Sequence, residues 1–106
     1  MNDKSRKQER RLAKEIGGHT TPASGAFWSR KGDVRSDRYL VEAKRTDKAS
    51  ISIKADVWDK IRREAIIDGR IPVLALQIGS VDLAVLDWED FLALDSREDL
   101  GEGGVP

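Results

Sequence analysis

A chain of 106 residues can bury one core; two independent cores would leave each half with too little apolar surface to fold. It has no cysteine, which excludes a disulfide scaffold and a thiolate metal cage, and its single histidine, His19, excludes a multi-histidine zinc site. Acids and bases cancel overall, but residues 1–54 carry +7 and residues 55–106 carry −7; a basic half fits a polyanionic partner as well as it fits a solvated face.

No apolar run reaches the roughly 18 residues that a membrane-spanning helix needs, and the first residues are charged. The expectation is a soluble, cytoplasmic protein with one domain over residues 1–96 and a disordered tail over 97–106.

The first element is a helix over residues 4–16. Leu12, Ala13 and Ile16 supply its apolar stripe, and Gly17 and Gly18 end it. Glu9 precedes those three by three, four and seven positions, so it lies at the edge of the core-facing side. Glu15, on the same helix, is the competing acid. Residues 19–25 are rich in turn formers, and Ala26, Phe27 and Trp28 read as a short strand.

Residues 30–32 make a turn into an extended stretch beginning at Asp33. Residues 38–44 carry the clearest strand signal, with Leu40, Glu42 and Lys44 on one face and Tyr39, Val41 and Ala43 on the other. Ile51-Ser52-Ile53 reads as a further strand.

Val57, Trp58, Ile61 and Ala65 recur at helical spacing over 55–68, and Gly69 stops that helix. Residues 72–78 are almost wholly apolar, as in a strand buried on both faces. Gly79 and Ser80 turn the chain into a partner strand over 81–88, followed by a short helix around Phe91, Leu92 and Leu94. The predicted order is α-β-β-β-α-β-β-α: an α/β fold with a central mixed sheet flanked by helices.

The chemistry concentrates in the middle strands. Asp33 is followed nine residues later by Glu42, and Lys44 shares the strand face of Glu42. Two carboxylates brought close together repel unless a cation lies between them. Hard oxygen ligands suit Mg²⁺, with Mn²⁺ as a substitute. Such an ion can polarise a phosphate and generate hydroxide, while a neighbouring lysine orients water or stabilises developing charge. These are the requirements of phosphodiester hydrolysis.

Gly32-Asp33-Val34 followed by Val41-Glu42-Ala43-Lys44 resembles the PD-(D/E)xK nuclease signature, with Gly32 in place of the nominal proline. Glu9 within its basic helix, Ala23-Ser24-Gly25, Asp33 and Glu42-Ala43-Lys44 fall in the order found in the archaeal and phage Holliday junction resolvases of that superfamily. The likeness covers residues 4–79. It implies a restriction-endonuclease-like fold, catalytic Glu9, Ser24, Asp33, Glu42 and Lys44, and a magnesium ion held by Asp33, Glu42 and Glu9. It also implies a homodimer acting on branched DNA, four-way junctions foremost, in recombination or repair and at home in a phage.

Arg30, Lys31, Arg35, Arg45, Arg10 and Lys7 surround the acids in sequence and are the expected DNA contacts. Ser24 is either a turn residue before glycine or a hydroxyl near phosphate. Competing functions are a restriction-type, nicking or flap nuclease of the same superfamily, and a non-catalytic DNA-binding subunit.

Overall fold

The computed structural model describes residues 3–21 and 33–101, with side chains through residue 96. The elements run α1 (Asp3–Ile16), β1 (His19–Thr20), β2 (Val34–Arg35), β3 (Tyr39–Thr46), α2 (Ala55–Ile67), β4 (Ile71–Ile78), β5 (Val81–Val85) and α3 (Trp88–Gly101). Among the described residues these elements form an α/β fold with a mixed five-stranded sheet in the order β1-β2-β3-β4-β5; the string of elements equals the expected α-β-β-β-α-β-β-α, but the strands before α2 are not the expected ones throughout. Only β3 and β4 run parallel; the other neighbouring pairs are antiparallel.

Helices α1 and α2 end for the same reason. Gly17 takes φ +68°, Gly18 N–H donates to the Ala13 carbonyl at 2.8 Å and Gly17 N–H to Lys14 at 3.4 Å. At α2 the left-handed residue is Gly69 (φ +71°), with Arg70 N–H on Ala65 at 2.8 Å and Gly69 N–H on Ile66 at 3.0 Å. These paired bonds satisfy carbonyls that the helix itself leaves open. Gly18 has a second duty: a Cβ there would run into the Arg35 carbonyl, so its absence lets the end of α1 sit on β2.

The sheet has apolar clusters on both faces. Ala13 of α1 packs with Val34, Val41 and Ala75, and Ile61 of α2 packs with Leu74 and Leu76. β4 therefore alternates between the two helices, with Val73 and Ala75 toward α1 and Leu74 and Leu76 toward α2. This is why its sequence is apolar throughout rather than alternating.

Two expected strands need correction. Ile51-Ser52-Ile53 is not a strand: it lies in the connection that leaves the sheet after β3 so that α2 can carry the chain to the parallel β4. Ile51 instead packs beneath α2, while Ile53 is exposed. The third strand before α2 is His19–Thr20, in a stretch expected to be a loop. The expected strand at 26–28 lies outside the described residues. β5 is also shorter than predicted, and α3 is longer, running through Gly101 and taking in the first part of the expected tail. Among the described residues no helix is long and apolar enough to cross a membrane.

Candidate functional site

Asp33 sits where β2 begins and the neighbouring edge of β3 opens. Its N–H donates to the Val41 carbonyl at 2.8 Å, its carbonyl accepts from Thr21 N–H at 3.1 Å, and its Oδ2 accepts from Ala43 N–H at 2.8 Å. Backbone and side chain are thus both pinned to β3, which fixes the carboxyl beside Glu42.

Glu42 and Lys44 pair in register with Leu74 and Leu76 of β4 and so look toward α2. Glu9 comes from α1, on the opposite face. Asp33, at the sheet margin between them, feels both acids electrostatically.

The electrostatics follow from crowding and burial. Glu42 is pushed up to about 7, first by burial, then by the charges of Asp33 and Glu64, against a downward pull from Lys44 and Lys60. Asp33 is also raised: burial outweighs the Ala43 N–H, the Lys44 ammonium and a hydrogen bond shared with Glu42. Glu9 is raised by burial and by Asp33, with Arg6 opposing. Burial is thus the first cause for all three acids, with Asp33 adding repulsion to Glu42 on one side and to Glu9 on the other.

Among the described residues no group of three or more acids or histidines is close enough to form a metal cage. Asp33, bonded to the Ala43 N–H next to Glu42, and Glu42 itself make a two-carboxylate donor set. That set fits Mg²⁺, which takes one or two protein carboxylates and keeps water in its other positions.

The remaining predicted residues are distributed unevenly. Ser24, Arg30 and Lys31 lie outside the described residues. Arg35 is mostly covered and forms an ion pair with Asp68 at 3.5 Å, so it ties β2 to the α2–β4 turn. Arg10 is exposed on α1, whereas Lys7 and Arg45 share a pocket with four other residues. Glu15 is exposed and bonded to Arg11 at 3.0 Å. His19 is exposed on β1.

Three residues were not read from the sequence. Gln8 is buried and its Nε2 donates to the Lys44 carbonyl at 3.0 Å, fastening α1 to β3 beside Glu9. A polar residue four positions before Leu12, on the apolar stripe, was the signal. Lys60 and Glu64, 3.9 Å apart on α2, face Glu42; each directly precedes a buried residue of that helix, Ile61 or Ala65.

Comparison with family models, with curated proteins and with solved structures yields no match to this chain.

Proposed function

We propose that the chain is a magnesium-dependent DNA endonuclease of the PD-(D/E)xK type with a restriction-endonuclease-like fold, and that four-way junctions are its preferred substrate. The observation that carries this reading is the Asp33–Glu42 pair. Two carboxyl groups are held together in a half-buried site, with Lys44 beside them. A fold gains nothing from that arrangement unless a cation or a substrate completes it.

In this reading Asp33 and Glu42 hold the metal ion. When bound, the ion supplies Lewis acidity toward the scissile phosphate and a more acidic bound water. Asp33 keeps its orientation through the Ala43 N–H, so its carboxyl does not have to be ordered at each turnover. Lys44, opposite Leu76 and sheltered by α2, donates to a phosphate oxygen or aligns the attacking water. Glu9 approaches from α1 as a positioning acid, its distance set by the Gln8 bond to Lys44.

Symmetric cutting of a junction needs two such sites, so the reading includes a C2 dimer. β5 is a sheet edge whose Val81 and Leu83 are exposed, and Trp88, Phe91 and Leu92 of α3, the next element in the chain, are exposed too. Apolar surface of this kind favours self-association. Light scattering at micromolar concentration is expected to give twice the chain mass.

A gel assay with four-way junction, nicked duplex, flap and linear duplex, each with and without Mg²⁺, tests the substrate. Preferential cutting of the junction supports the reading. A linear duplex cut as fast would move it to a restriction-type or general nuclease. DNA binding without cutting of any substrate would move it to a non-catalytic subunit.

A further inference from the structure

The first turns of α1 pack near β3, and a pocket of about 330 Å³ there is lined by Lys4, Lys7, Gln8, Arg11, Arg45 and Gln77. Four of these side chains are cations, two are amides, and none is an acid. Arg45 follows Lys44 directly on β3; alternation sends Lys44 toward α2 and Arg45 toward α1. Gln8 belongs to both places, since it lines the pocket and also donates to the Lys44 carbonyl.

The pocket already holds a carboxylate at its rim. Asp47, in the link after β3, accepts Arg45 Nη2 on Oδ1 at 2.6 Å and Lys4 Nζ on Oδ2 at 3.1 Å. The Arg45 side chain is only 14% exposed, whereas that of Asp47 is 63% exposed. A fixed guanidinium is therefore bridged to a lysine by an oxyanion that can swing out. Arg11 has its own acids, Glu15 at 3.0 Å and Asp82 at 2.8 Å. Lys7 has no acidic partner among the described residues.

We propose that this pocket seats one phosphate of the DNA backbone, adjacent to the cutting site, with Arg45, Lys7 and Lys4 as donors and Asp47 as the internal stand-in that the phosphate displaces. The assignment rests on the nuclease reading for the identity of the strand. Arginine presents paired N–H donors suited to phosphate, and lysines add charge with freedom to adjust. A strand crossing the free end of β3 meets Lys44 on one side and Arg45 on the other. The seat would hold it there through an interaction independent of base sequence.

Fluorescence anisotropy of labelled four-way junction and linear duplex, in EDTA so that no cutting occurs, measures the seat separately from the chemistry. Lys7→Gln and Arg45→Gln are each expected to lower the log–log salt slope of binding by about 1, whatever the DNA sequence. Asp47→Asn is expected to tighten binding, because it removes the competing carboxylate. Lys14→Gln, at the far end of α1, is the control and leaves the slope unchanged; circular dichroism checks that each variant is folded.

An unchanged slope in folded Lys7→Gln and Arg45→Gln, or weaker binding by Asp47→Asn, overturns the seat. Inorganic phosphate that shifts the Arg45 side-chain resonance, while both glutamine variants bind DNA normally, would make it a small-anion site and also overturn the proposal. Lowered slopes in both glutamine variants, together with a wild-type protein that cuts nothing with Mg²⁺, support the seat while ending the nuclease reading. Magnesium-dependent cutting with unchanged slopes does the reverse.

Discussion

Two charged clusters lie along the same sheet and are built on opposite principles. Where the chain enters β3 and β4, opposite charges meet. Arg70 donates Nη1 to Asp68 at 2.6 Å and Nε to the Ser36 carbonyl at 2.6 Å, while Arg35 approaches Asp68 at 3.5 Å. Ser36 is buried, and its hydroxyl accepts from Tyr39 N–H at 3.0 Å. Opposite charges offset one another there, and the result is a clamp joining β2, the β2–β3 turn and the α2–β4 turn. Along the open edge of β3, Asp33 and Glu42 are like charges in a half-buried setting, and the folded state disfavours their ionisation. The first cluster stabilises the fold; the second does not. Charge alone does not mark a site, but poorly compensated like charge held rigidly does.

Substitutions separate the two most sharply. Asp33→Asn and Glu42→Gln are expected to lower single-turnover cleavage of a four-way junction by about 10³-fold or more, as loss of a metal-held or charge-stabilising group does, with thermal stability kept or raised. Asp68→Ala is expected to do the opposite: a loss of about 1–3 kcal/mol in urea unfolding, from two stranded guanidinium groups, with cleavage retained at temperatures where the variant is folded. A clamp variant that lost cutting without losing stability would erase the distinction.

The pH dependence carries the contrast into stability. Glu42 has its folded value raised to about 7 from an ordinary 4.5, so between these values the folded chain keeps a proton that the unfolded chain has released. Its contribution is complete below about pH 4.5 and is lost as pH rises through about 7. Asp33 and Glu9 act in the same direction. Urea titrations of metal-free protein are therefore expected to show about 1–3 kcal/mol less stability at pH 8 than the rest of the molecule would give. Glu42→Gln flattens that slope, and an unflattened slope would remove Glu42 as its source.

A smaller effect distinguishes the two acids of α1. Glu9→Gln is expected to slow cleavage by about tenfold to a hundredfold, the scale of a supporting group near a metal. Glu15→Gln, which breaks only an exposed pair with Arg11, leaves the rate unchanged. Equal rates for both variants would detach Glu9 from the site.

What the sequence made legible follows the range of the interactions involved. The ends of α1 and α2 were readable because a local glycine sets each of them. β4 was readable because its apolar run reflects burial on both faces. Ile51-Ser52-Ile53 was misread because its alternation is local, whereas the chain there has already left the sheet for the crossover through α2. β1 and β2, two residues each, exist only through pairing with distant partners and carry no periodic signal. The spacing of Asp33, Glu42 and Lys44 was visible in the chain, but the closeness of the two carboxyl groups depends on the Asp33 bond to Ala43. Gln8, Lys60 and Glu64 enter the site through helix packing, which residue spacing alone does not reveal.

The most direct test of the carboxyl pair as a metal-dependent cutting site is one time course on labelled four-way junction DNA, begun in EDTA and continued after addition of excess Mg²⁺, for wild type and Glu42→Gln side by side. The account predicts no product before the addition, product from wild type after it, and none from Glu42→Gln. Product formed in EDTA, or cutting by Glu42→Gln at the wild-type rate, would contradict it.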